Sequence, residues 1–180
     1  MEDKGKLVIV SGPSAIGKLS VVRQVVGMYR DYEEVVRTTT RPCWTGEIPG
    51  VRYLFVSKEE FEERIVNDEF IEYTFALGHY YGTSKLTVLL KIEDGINVIL
   101  QLSFEEAQRV KEQFLNTLIV YILPFETDFM IQQLEQREQN DERVWERLSA
   151  YENEPIVVLN ADILLVNHDI AEIADRLVKL

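Results

Sequence analysis

Leu7-Val8-Ile9-Val10-Ser11-Gly12-Pro13-Ser14-Ala15-Ile16-Gly17-Lys18-Leu19-Ser20-Val21-Val22 is the stretch on which the reading of this chain turns. Leu7 to Ser11 is a short, uncharged, β-branched run that predicts a buried strand, and Val21, Val22, Val25 and Val26 recur at helical spacing from Lys18 to about Met28. Between them lies G-x-x-x-x-G-K, in the strand-to-helix setting that gives that spacing its meaning. Successive backbone N–H groups from Gly12, Pro13, Ser14, Ala15, Ile16 and Gly17 onward, with the helix N-terminus, would form a concave anion site, proline supplying no donor of its own. Lys18 adds a point charge for the β and γ phosphates of a nucleoside triphosphate. The alternative, a glycine-rich turn that binds nothing, is disfavoured by the flanking elements. The motif ordinarily continues with Ser or Thr for a magnesium ion, but Leu19 stands there and Ser20 follows. A helix turns about 100° per residue, so Ser20 projects in another direction and its contact with a metal is one option only.

Working outward, strand-like and helix-like runs alternate to the C-terminus, which predicts crossover units on a mainly parallel sheet flanked by helices. Thr38 to Gly50 is polar, carries Pro42, Gly46, Pro49 and Gly50, and is expected to be loop, with a short strand around Tyr53 to Val56. Ser57 with Glu60, and Ser103 with Glu106, have capping-box spacing. Lys85 opens a helix that Asp94-Gly95 can end, and Asn97 to Leu102, Thr117 to Leu123 and Ile163 to Val166 are expected strands. A charged helical region runs from Pro124 to about Glu154, and a last helix starts at Asp169. The expected division is a single domain with a core of about 1–36, 84–124 and 155–180, an inserted lobe of about 37–83 and a helical lid of about 125–154.

A chain of 180 residues with 46% hydrophobic residues can bury one sizeable core. With no run of about 18 apolar residues and no signal-peptide pattern at the N-terminus, neither a membrane span nor export is expected, and the cytoplasm is the default. One cysteine, Cys43, excludes an internal disulfide. The net charge of −12 argues against a nucleic-acid polymer as partner, whereas a mononucleotide needs only a few cations gathered in a cleft.

Thr39-Thr40-Arg41-Pro42, Gly46-Glu47, Gly50, Tyr53-Leu54-Phe55-Val56, Glu69-Phe70-Ile71-Glu72 and Gly78-His79-Tyr80-Tyr81-Gly82-Thr83, in that order and spacing, resemble the motifs of the guanylate kinase family. Arg147-Leu148 and Asn167 resemble its lid and terminal signatures, so the likeness spans nearly the whole chain. The resemblance implies a P-loop NTPase-type α/β fold with a nucleotide-monophosphate lobe and a lid. It further implies transfer of phosphate from ATP to GMP or dGMP, assisted by Mg²⁺. In that family a hydroxyl stands two residues after the lysine, which Ser20 matches. Arg41 would fork onto the monophosphate with the Tyr53 and Tyr81 hydroxyls. Glu72 would accept from guanine N1–H and the exocyclic amine, and Thr83 would donate to O6. Arg137 and Arg147 would gather round the transferring phosphoryl group, and Asn167 would belong to the ATP site. Taken singly, the lid arginines read as surface ion-pair residues, Tyr81 as a packing aromatic and Glu72 as a solvated carboxylate; their joint spacing argues otherwise.

Five positions depart from the family pattern. Arg37 stands for a serine that helps hold guanine, Trp44 for the second arginine of TTRxPR, and Gln133 for a lid arginine. Gln101 and Ser103 stand for two aspartates, one near the metal and one near guanine. Arg37, close in sequence to the missing arginine, is a candidate to supply its charge to the monophosphate. A second reading follows from these losses: a module that binds nucleotide or a protein partner without turnover. The intact phosphate loop favours the kinase.

Overall fold

The structure is a computed structural model that describes residues 4–13, 16–124 and 160–180. Fourteen elements lie in those residues: β1 (Leu7–Ser11), α1 (Lys18–Met28), β2 (Tyr32–Glu34), β3 (Arg37–Thr39), β4 (Tyr53–Phe55), α2 (Lys58–Val66), β5 (Phe70–Ala76), β6 (His79–Ser84), α3 (Lys85–Glu93), β7 (Asn97–Gln101), α4 (Phe104–Gln113), β8 (Thr117–Pro124), β9 (Ile163–Asn167) and α5 (Ile170–Leu177). The strands form a five-stranded sheet ordered β2-β7-β1-β8-β9 and a four-stranded sheet ordered β4-β3-β6-β5. The fold is mixed α/β, its five-stranded sheet mainly parallel and flanked by helices; β8 and β9, for example, run parallel from Val120↔Ile163 to Pro124↔Asn167.

Two compact units divide the chain: residues 1–7 with 33–98, and residues 8–32 with 99–180. In the second unit the apolar periodicity of α1 acts as the sequence predicts. Val21, Val22 and Val25 are buried with Val8 and Val10 of β1, Val120 and Ile122 of β8, and Ile173, Ala174 and Leu177 of α5. Strands buried on both faces need apolar residues at every position, which is why β1 reads as a continuous apolar run and not an alternating one. Asp169 caps α5 by accepting from the amides of Ala171 and Glu172, and Ser103 makes a complete capping box with Glu106 at α4.

The first unit is built round the four-stranded sheet. Phe61 of α2 stacks on Phe70 of β5, their ring centres 4.4 Å apart, and on Tyr80 of β6 at 5.1 Å. Ser57 caps α2 by accepting from the Glu60 amide, while the Glu60 carboxylate pairs with Arg64 instead of closing a box. The loop expected from Thr38 begins later. Thr38 and Thr39 belong to β3, because pairing to β4 on one side and β6 on the other buries both threonines despite the polar sequence around them. Among the described residues no helix is long and apolar enough to cross a membrane.

Candidate functional site

The phosphate loop follows β1, at the carboxyl end of an inner strand, where open α/β sheets place their ligands. Gly12 adopts φ +142°, and a Cβ there would meet the Ile122 carbonyl oxygen at 2.5 Å; Gly17, at φ +89°, turns the chain into α1. Both positions therefore need glycine. Lys18 Nζ donates to the carbonyls of Gly12 and Pro13, each at 2.6 Å. Asn167, at the end of β9, donates from Nδ2 to the Ile16 carbonyl at 2.7 Å, so the structure brings this sequence-predicted residue onto the phosphate loop. Ser20 is exposed on α1 and Leu19 half-buried. Gln101 ends β7 exposed, and the Ser103 hydroxyl accepts from the Glu106 amide, which gives that serine a structural task.

In the first unit, sheet parity gathers the remaining candidates. Residues directly opposite each other across neighbouring strands share a face, and so do residues two apart along a strand. Arg37 pairs with Tyr53, Thr39 with Phe55 on one side and Tyr81 on the other, and Thr83 with Glu72. Arg37, Tyr53, Tyr81, Thr83 and Glu72 thus fall on one face of one sheet. A bulge in β5 between Phe70 and Glu72 completes the set. With unbroken register from the Phe70↔Ser84 pair, Ile71 would oppose Thr83; the extra residue moves Glu72 into that place.

Charge on this face is held in two clusters. Glu72, almost wholly buried, accepts from Arg37 Nη2 at 2.8 Å on Oε1 and 3.0 Å on Oε2, and from the Thr83 hydroxyl at 2.5 Å on Oε1. Arg41, 6% exposed, forks onto Glu47 with both terminal nitrogens at 2.6 Å and also donates to the Pro42 carbonyl. Trp44 stacks over it, 3.9 Å from the guanidinium carbon to the ring centre, with Tyr53 at 5.0 Å and Phe55 at 5.3 Å. The Arg41 fork and the Trp44 amide pull the Glu47 carboxyl down to about 2, and the same fork raises Arg41 further above its ordinary value.

Three of these contacts escape the sequence reading. Arg37, a candidate for the missing phosphate cation, donates to the Glu72 carboxylate. Trp44, standing where the pattern has an arginine, covers Arg41 with its ring. Glu47 was visible in the Gly46-Glu47 motif, but its role as the partner of Arg41 was not assigned. Thr83 gives its proton to Glu72 in this arrangement. Ser14, Ala15, Gln133, Arg137 and Arg147 lie outside the described residues.

The guanylate kinase family model matches residues 4–180 of the chain. This chain belongs to the guanylate kinase family. A guanylate kinase from Prochlorococcus marinus subsp. pastoris is 32% identical over 181 residues, covering 100% of this chain and 98% of the relative. One from Caldanaerobacter subterraneus subsp. tengcongensis is 29% identical, covering 98% of this chain and 86% of the relative. The crystal structure of guanylate kinase from Anaplasma phagocytophilum superposes with a TM-score of 0.75 over 99% of this chain and 85% of that one, at 23% identity, which supports the fold.

Members of this family are nucleoside-monophosphate kinases, and magnesium usually accompanies their ATP. The groups present suit a metal carried in on the triphosphate. No cluster of three or more His, Cys, Asp or Glu able to hold an ion occurs among the described residues, and Ser20 and Gln101 offer neutral oxygens. Mg²⁺ keeps several waters and takes much of its binding from substrate phosphates, so such a donor set fits it.

Proposed function

We propose that this chain transfers the γ-phosphoryl group of ATP to GMP or dGMP, giving ADP and the nucleoside diphosphate. The observation that carries the reading is the four-stranded sheet, on one face of which strand register collects Arg37, Tyr53, Tyr81, Thr83 and the buried Glu72, with the buried Arg41 of the following loop packed on the Tyr53 ring. A phosphate-binding arginine flanked by phenols at one end and a hydrogen-bonding carboxylate at the other is complementary to a nucleoside monophosphate and has no need in a scaffold. The full-length likeness to guanylate kinases supports GMP as the acceptor.

Arg41 takes the acceptor phosphate, exchanging part of its fork on Glu47 for phosphate oxygens, with the Tyr53 and Tyr81 hydroxyls completing the bonds. Glu72, Thr83 and Arg37 form the base end. The amides from Gly12 to Gly17 and the Lys18 ammonium hold the β and γ phosphates, with Asn167 steadying the loop and Ser20 offering a hydroxyl towards the metal. Mg²⁺, when bound with ATP, supplies charge neutralisation to the phosphates. An oxygen of the acceptor phosphate bonds to the γ-phosphorus as the bond to the β–γ bridging oxygen breaks, and ADP leaves with that electron pair. Arg137 and Arg147 stabilise the charge spread over the transferring group.

The test is ADP production from ATP and Mg²⁺ with GMP, dGMP, AMP, UMP and CMP offered separately. Turnover that depends on GMP or dGMP is expected. Folded protein that turns over none of them would instead favour the non-catalytic module.

A further inference from the structure

Resting on the kinase reading, and extending its range of acceptors, we infer that Arg37 is the residue that reads the base, with Glu72 positioning it. The acceptor class that follows is the 6-oxopurine monophosphates, whatever their substituent at carbon 2.

Three observations carry this. The Glu72 side chain is 3% exposed and that of Arg37 24%, so the open side of the pair belongs to the arginine. Glu72 already accepts from Arg37 on both oxygens and from Thr83, which uses most of the roughly four lone-pair sites a carboxylate offers. Among the described residues, Arg37 makes both of its bonds through Nη2 alone, and its Nε, also buried, has no hydrogen-bond partner. A guanidinium pinned by one nitrogen keeps donors for a second, in-plane set of acceptors.

A base arriving at this pair meets donors first. Guanine presents O6 and N7 acceptors on the edge that arginine reads, whereas adenine places an amine donor at position six, against the guanidinium. Hypoxanthine and xanthine carry the same six-position carbonyl and N7 as guanine. The 2-amino group, which a carboxylate with open acceptors would read, contributes little here.

The experiment compares kcat/KM for GMP and IMP, which differ only in the 2-amino group. A buried hydrogen bond read directly by Glu72 would separate them by roughly five- to 150-fold. The wild-type protein is expected to separate them by less than about the lower end of that range. Glu72→Gln should lower both by the same factor and leave the ratio unchanged, while Arg37→Ser, by releasing the carboxylate, should open the ratio in favour of GMP. Strong rejection of IMP by wild type, with Glu72→Gln harming GMP alone, would overturn the inference and leave the kinase reading standing. The wild-type ratio needs no variant to fold. Absence of turnover with every acceptor defeats the kinase reading instead; equilibrium binding of GMP and IMP then gives the same ratio, and binding of neither overturns both.

Discussion

The two halves of the candidate machinery hold their cations in opposite ways. At the phosphate loop, Lys18 rests on two backbone carbonyls, neutral acceptors supplied by the loop itself. On the four-stranded sheet, Arg41 and Arg37 each rest on a carboxylate, Glu47 and Glu72. A carbonyl gives up an ammonium to a triphosphate readily, because an ion pair replaces bonds to uncharged acceptors. A carboxylate already gives its arginine a charge-assisted bond, so an incoming phosphate or base has to compete for it. Of the departures from the family pattern, Arg37 and Trp44 alter the surroundings of both sheet-borne charges.

The widest break in this comparison is expected from Lys18→Met. Lys18 bonds to the loop backbone and sits half-buried, so the substitution should leave the fold intact. Removing one positioned donor to the transferring group costs on the order of 10²–10³ in kcat. Steady-state turnover, with a thermal melt of the same sample, checks both halves of the statement. A melt that falls together with kcat would make Lys18 a structural residue and erase the contrast.

A smaller effect is expected from Arg41→Met. Losing a charge-assisted bond is worth about 1.5–3 kcal/mol, or roughly ten- to 150-fold, and the loss should fall on KM for the monophosphate while KM for ATP stays put. Glu47 also loses its partner, but it is partly exposed and water can solvate it. Equal rises in both KM values would refute the assignment of Arg41 to the acceptor.

Much of the fold was legible because it is set by local rules. The bounds of α1 follow from valine spacing between Gly17 and Met28, and the ends of α4 and α5 from Ser103 and Asp169. What escaped depends on pairing between distant segments. Thr38 and Thr39 read as loop because their neighbours are polar, and only contact with β4 and β6 makes them strand. The bulge at Ile71 leaves no composition signal, yet it decides that Glu72 and not Ile71 faces Thr83. Arg37 and Glu72 are 35 residues apart, so their bond could not be read from spacing. Motif likeness marked Glu72 and Arg41 as candidate site residues, but the likeness carries the family's partners with it. It therefore assigned Glu72 to guanine without the arginine that this chain puts on it.

The finest test concerns how firmly the sheet-borne charges are held in the resting protein. Glu47 has its carboxyl pulled from 4.5 to about 2 by the Arg41 fork, with help from the Trp44 amide. A folded pKa below the unfolded one means that the stabilisation is complete above about 4.5 and is lost as pH falls from there through about 2. Trp44 reports the event directly, since its amide binds Glu47 and its ring covers Arg41. In a Trp145→Phe background Trp44 is the one remaining tryptophan of the two in the sequence. Its emission, compared with that of the same protein carrying Glu47→Gln, should differ by a constant amount from pH 7 to about 5 and converge towards pH 2, where a protonated glutamic acid resembles the amide. Convergence centred near 4.5 would mean that Arg41 does not hold Glu47 in solution. The acceptor phosphate would then find its arginine unopposed, and the contrast with Lys18 would vanish.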